Sequence, residues 1–232
     1  MQAIGLHEFG DPDVLQVVEL PAPEPGPGEL RIRVHAVGVN PTDLTFRSGG
    51  RAAQLTGRPG PYIPGVDAAG VVDKVGPSSD GRLTVGDRVV AFVVPMGPHG
   101  GSYAQQIVVP EASVVPAPSR ATFEEAATLL LNAAAARLSL DALDLRSGST
   151  VAIVGGAGAV GGFAIQLAKS DGLVVVTDAS PDDDELVTSL GAHTVIERSA
   201  NLAARIRDQL PEGVPGLIDG RRTRRRGAAR CD

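Results

Sequence analysis

The stretch Gly156-Ala157-Gly158-Ala159-Val160-Gly161 has the spacing G-x-G-x-x-G. That spacing serves phosphate chemistry when it follows a strand and opens a helix. The first glycine permits a tight turn, and the second lets the backbone approach a pyrophosphate. The third lets helix and strand pack closely, with the positive helix end facing the phosphates. The competing reading is a glycine-rich loop with no ligand. Asp178 follows Gly158 by 20 residues. There an acid hydrogen-bonds an adenosine ribose and repels a 2′-phosphate. Ala179 to Glu185 hold no Lys or Arg for such a phosphate. The expected cofactor is therefore NAD(P)H, with a lean towards NAD. The alternative for Asp178 is that it only helps to begin the next helix.

These residues need particular elements around them. Thr150 to Val154 is a short apolar run and predicts a buried strand. An amphipathic helix to about Lys169 follows the glycines. Leu173 to Thr177 predicts a second strand, Thr194 to Ile196 a third and Gly216 to Asp219 a fourth. Ser180 and Pro181 mark a helix start, with Ser as N-cap, and Gly191 marks its end. Ala200 to Leu210 predicts a further helix. Strand and helix alternate, as in a parallel α/β domain. Upstream, Thr122 and Glu125 form a capping box for a helix to about Arg137. A second helix is expected over Ser139 to Leu143.

The first 118 residues predict β structure. Leu30 to Ala36 alternates apolar and polar residues. Ala69 to Val75, Asp87 to Val94 and Ala104 to Val109 are further strand candidates. The proline-rich segment Pro21 to Gly28 must be a surface loop.

Composition narrows the classes. The chain has 232 residues with 29 Gly, 18 Pro, one Cys and no Trp. One Cys excludes a disulfide scaffold and a cysteine zinc site. No run of 18 apolar residues is present, so no membrane helix is expected. Met1 to Asp13 lacks a signal-peptide core, and a cytoplasmic protein is expected. The net charge of −6 argues against nucleic acid as a partner of the whole chain. Residues 221–232 carry six Arg and one Asp, leaving −11 for the first 220.

Several motifs now stand in order. Gly38-Val39-Asn40-Pro41-Thr42-Asp43 precedes Arg47-Ser48-Gly49. Pro64-Gly65-Val66-Asp67-Ala68-Ala69-Gly70, then Val85-Gly86-Asp87-Arg88-Val89, then Gly101-Ser102-Tyr103-Ala104 follow. With Glu124-Glu125-Ala126-Ala127 and the glycine loop, they resemble the medium-chain dehydrogenase/reductase superfamily, nearest its zinc-free quinone oxidoreductase-like branch. The resemblance covers about residues 1–220. It implies an α/β protein: a GroES-like β-barrel domain at 1–118 and an incomplete Rossmann domain at 119–220. Residues 221–232 form an Arg-rich tail outside the family pattern.

The resemblance also implies chemistry. Zinc-dependent relatives place a Cys ligand where Asn40 stands and a Gly-His-Glu motif where Gly65-Val66-Asp67 stands. No zinc is expected here, and His7, His35, His99 and His193 show no metal spacing. Zinc-free relatives reduce quinones or enones with a nicotinamide cofactor. Asn40 is then expected to hold the nicotinamide amide or the substrate oxygen, with Asp43, Arg47 and Asp67 lining the same cleft. The structural alternative has Asp43 capping a helix and Arg47 paired with Asp67. Asn132 matches a family Asn, whereas Ala135 stands where relatives carry a Thr. Tyr62 and Tyr103 are candidate proton donors.

Relatives continue to a six-stranded sheet and form homodimers on its last strand, which this chain does not reach by Gly220. Lys is scarce, with only Lys74 and Lys169. That fits a GC-rich gene, and a frameshift is the expected source of the tail. Synonymous codons exist that, read one base later, encode an acidic amphipathic peptide. A non-catalytic fragment and a nucleic-acid binder acting through the tail are the alternatives to an enzyme.

Overall fold

The computed structural model describes residues 1–199 and 201–220. The readings placed on 221–232 lie outside the described residues. The chain forms two compact units, Met1–Leu131 and Asn132–Asp232.

In the first unit β1 (Gln2–Gly5) pairs antiparallel with β2 (Gln16–Glu19). Then come β3 (Glu29–Gly38), α1 (Pro41–Arg47), β4 (Asp67–Val75), β5 (Arg88–Phe92), β6 (Gln106–Pro110), β7 (Val114–Pro116) and α2 (Phe123–Ala126). The five later strands form one antiparallel sheet in the order β6-β3-β4-β5-β7. Leu30 and Ile32 point into a core with Val72, Val89, Ile107 and Val114, which explains the alternation read in the sequence. Register shifts at Arg31/Ile32 and Val34/Ala36 bulge β3 against β4. Such bulges bend a sheet and increase its twist. Pro21 to Gly28 carries no strand or helix.

The second unit takes most of α3 (Leu130–Leu143). β8 (Thr150–Val154), α4 (Ala159–Ser170), β9 (Val174–Ala179), α5 (Asp184–Leu190), β10 (Thr194–Glu197), α6 (Leu202–Gln209) and β11 (Gly216–Asp219) follow. All four strands are parallel, in the order β10-β9-β8-β11. The chain winds outward from β8 to β10, then crosses back to add β11 on the other side. That reversal opens a crevice at the carboxyl end of β8, where such sheets bind ligands. Val151, Ile153, Ile165, Val175 and Val187 fill one core, with Ala136 and Leu140 of α3 packed among them.

Two expected helix boundaries are corrected. α2 stops at Ala126, and α3 runs without a break through Leu138 and Ser139. The Ser139 hydroxyl donates to the Ala135 carbonyl at 2.7 Å, a back-bond that keeps serine inside a helix instead of capping one. Ser180 does not cap the backbone of α5 either. Its hydroxyl donates to the Asp183 carboxylate at 2.6 Å, and Pro181–Asp183 forms a separate tight turn.

Among the described residues, Phe123–Leu143 is the one helical stretch long and apolar enough to cross a membrane, with mean hydropathy 1.2. It is interrupted between Ala126 and Leu130. Ala126 and Ala127 are buried in the first unit, and Ala136 and Leu140 in the second.

Gly70 shows how closely β3 and β4 approach. A Cβ there would lie 2.2 Å from the Arg33 carbonyl oxygen, so the backbones must separate to admit it. Gly70→Ala is expected to lower stability by about 3 kcal/mol in urea unfolding. A loss under about 0.5 kcal/mol would show that this approach is not tight.

Candidate functional site

The glycine turn leaves β8 at Val154. Gly155 has φ +84° and begins the reversal. A Cβ on Gly156 would lie 2.1 Å from the Thr177 Oγ1, and one on Gly161 would lie 2.2 Å from the Gly155 carbonyl oxygen. Both positions are filled by protein. Gly158 differs: among the described residues, and apart from its chain neighbours, the one atom within 4 Å of its Cβ position is the Gly155 oxygen, at 3.2 Å. Gly158 is also the N-cap of α4, and no side-chain cap bond is present there among the described residues. The first-turn N–H groups, from Ala159 and Val160 onward, lack intrahelical acceptors. An open backbone, an uncapped twelve-residue helix and the positive helix end fit a pyrophosphate.

Asp178 lies at the end of β9 and is 1% exposed. Its Oδ1 accepts the Gly155 N–H at 2.5 Å, and its Oδ2 accepts from Arg198 Nε at 2.8 Å. It does not begin α5, which starts at Asp184. The Arg198 backbone N–H donates to the Ala179 carbonyl at 2.8 Å, which fixes the residue beside the acid. Sequence reasoning missed Gly155, Thr177 and Arg198. For Arg198 a signal existed: parallel β9 and β10 end side by side, so a base just after the third strand reaches an acid at the end of the second.

A second polar cluster stands in the first unit. The register pairs Gly38 of β3 with Asp67 of β4. Asn40, two residues on, is thereby brought against Asp67 and begins α1. Asn40 Nδ2 donates to Asp67 Oδ2 at 3.0 Å. Asp67 Oδ1 accepts the Leu131 N–H at 3.0 Å. Asp43 Oδ2 accepts the Asn40 backbone N–H at 2.8 Å and the Tyr103 hydroxyl at 3.3 Å. Asn40, Asp43 and Asp67 are 5%, 4% and 1% exposed. Asp43 Oδ1 is buried and closes no hydrogen bond among the described residues.

Burial sets the electrostatics of this cluster. It holds the Asp43 carboxyl above its ordinary value, against the Asn40 N–H, the Tyr103 hydroxyl and the more weakly placed Gly65 N–H. It holds Asp67 up as well, against Asn40 and the Leu131 N–H and helped by the neighbouring charge of Asp43. Burial, then the Asp43 charge, pushes the Tyr103 phenol up.

The structure separates other candidates. Arg47 does not pair with Asp67, as one reading allowed. Its Nη1 donates to the Gly10 carbonyl at 2.6 Å, because Asp67 is already satisfied by Asn40 and Leu131. Tyr62 donates to the Arg58 carbonyl at 2.8 Å and stacks on Phe9. Asn132 lies in the first turn of α3 and is half-buried. Among the described residues, no three His, Cys, Asp or Glu side chains are grouped to hold a metal.

An antiparallel sheet unit followed by a parallel unit with this turn defines a class: α/β proteins that join a GroES-like unit to a Rossmann-type unit. Residues 26–119 match the alcohol dehydrogenase GroES-like domain family. The quinone oxidoreductase of Pseudomonas aeruginosa is 36% identical over 88% of the chain and 61% of its own length. That of Rattus norvegicus is 33% identical over 94% of the chain and 66% of its own length. The chain thus spans less than two thirds of these relatives. A mycobacterial protein solved with NADPH superposes with TM-score 0.81 and 34% identity, covering 95% of this chain and 67% of that one. A structure described as an NAD-dependent alcohol dehydrogenase gives TM-score 0.85 and 31% identity, over 94% and 70%. The chain belongs to the medium-chain dehydrogenase/reductase family, in its quinone oxidoreductase-like branch.

The raised carboxyls make stability depend on pH. A carboxyl whose folded value lies above its unfolded one keeps a proton that unfolding releases. Its contribution is full below the unfolded value and is lost as pH rises through the folded value. Stability should therefore fall from the ordinary carboxylate range near about pH 4 towards neutrality. Asp43→Asn should flatten that fall, with Asp67 keeping the remainder. Urea midpoints at a series of pH values check this, and a variant as steep as the parent refutes it.

Proposed function

We propose that the chain acts in NAD(P)H-dependent, zinc-independent reduction of a quinone or an α,β-unsaturated carbonyl. The observation that carries this reading is the glycine turn. Its two closed positions are packed by protein, and its one open position, Gly158, stands at an uncapped helix start. Gly156, Gly158, Ala159, Val160 and Gly161 hold the pyrophosphate in this reading, and Asp178, buried and bonded to Gly155 and Arg198, positions the adenosine ribose end. The hydride is supplied by the reduced nicotinamide.

Asn40 is the residue proposed to meet the reacting groups. Its amide is held by Asp67, and its backbone by Asp43. Both acids serve as positioning residues, and so does Arg47 through α1. An amide held this way binds a carboxamide or a developing oxyanion by hydrogen bonds. The donor set suits an acceptor that needs no Lewis acid. In a conjugated C=C acceptor the incoming charge spreads onto the conjugated oxygen, whereas an isolated carbonyl needs a metal or a proton donor. Asn132 is proposed as a further polar group for the same reaction.

Fluorescence titration of the purified chain with NADH and NADPH tests the reading, together with quinone-dependent oxidation. Gly158→Asp adds a side chain and a negative charge at the open position. It should weaken dinucleotide binding at least about tenfold, since a repelled phosphate loses charge-assisted bonds, while the thermal midpoint changes little. Binding without turnover would favour the non-catalytic alternative. No binding by a monodisperse protein would overturn the dinucleotide reading.

A further inference from the structure

We infer that Arg198 is a specificity-determining residue that admits a 2′-phosphate, so that the adenosine end of the site takes NADPH as well as NADH. This rests on the dinucleotide reading above and concerns its ribose end. An acid at the end of the second strand rejects a 2′-phosphate only if its charge is uncompensated. Here it is compensated. Asp178 is buried, and each of its oxygens is engaged, one by the Gly155 N–H and one by Arg198 Nε.

Arg198 is well placed to do more than neutralise. Its backbone is fixed on Ala179, and its side chain is 46% exposed. One of its five N–H donors is spent on Asp178, and no other guanidinium hydrogen bond is present among the described residues. The remaining donors form the planar fork that suits a phosphate. The adjacent Glu197 does not compete, because it pairs with Arg205 at 3.5 Å. The expectation of NAD from Ala179 to Glu185 considered only the segment after β9. The base that matters comes from the end of β10.

The adenosine end can be probed alone. Adenosine 2′,5′-bisphosphate and 5′-AMP differ only in the 2′-phosphate, and calorimetry measures both on the full chain. The parent should bind the bisphosphate at least as tightly as 5′-AMP. Arg198→Ala should weaken the bisphosphate about tenfold or more, as loss of a charged hydrogen bond does, and leave 5′-AMP within about threefold. Arg198→Lys keeps the charge without the fork and should fall between, which guards against a variant that merely unfolds. A parent that already prefers 5′-AMP by about tenfold overturns the assignment, as does an Arg198→Ala that weakens both ligands alike. In either case 5′-AMP binding leaves the dinucleotide reading standing. Failure of both ligands to bind the parent overturns that reading and the assignment with it.

Discussion

Three carboxylates, Asp43, Asp67 and Asp178, lie almost wholly out of water. A buried charge must be paired or hydrogen-bonded, or it gives up its ionisation. That requirement fixes where the surrounding backbone can run. In the first unit Asp67 at the start of β4 holds both the Asn40 amide and the Leu131 N–H, while Asp43 holds the start of α1. In the second unit Asp178 ties the glycine turn to the end of β10. Each knot sits where a strand ends and a loop must turn, so the loops that carry candidate chemistry are set by polar contacts as much as by the apolar cores.

The two knots solve the problem differently. The first has only neutral donors: a carboxamide, backbone N–H groups and a phenol. Neutral donors offset part of the burial cost, and the carboxyls remain raised. The second brings in a guanidinium, which pairs with the carboxylate and leaves donors over. A cluster of the first kind suits holding an amide in one orientation. A pair of the second kind suits discriminating ligands by charge.

The sequence made most of this fold legible because periodicity and turn chemistry agree with the tertiary packing. The alternation of Leu30 and Ile32, the capping box at Thr122 and Glu125, and the run Thr150 to Val154 each reappear in the structure. Local signals failed where a side chain had a choice of partners. A helix start was expected at Ser139 and an N-cap at Ser180, yet one bonds back into its own helix and the other bonds a nearby carboxylate. The turn that carries the candidate site was legible, because backbone sterics impose a spacing on the sequence. It was hidden wherever two distant residues meet. Nothing local announces that Tyr103 faces Asp43 or that Arg198 faces Asp178, since those contacts arise from strand register and sheet order.

This difference bears on how such a site can change. The proposed phosphate end is made of backbone, and a Cβ at Gly156 or Gly161 would strike packed atoms at 2.1 or 2.2 Å. That end is fixed by the fold. The proposed ribose end is made of side chains, and of the two, Asp178 is the less free. Removing its carboxylate would leave the half-buried Gly155 N–H unsatisfied at the turn and Arg198 without its partner. Arg198 is partly exposed, and its loss leaves Asp178 still held by Gly155. If position 198 sets ligand charge as proposed, it can change without undoing the turn, while the acid stays where the turn needs it.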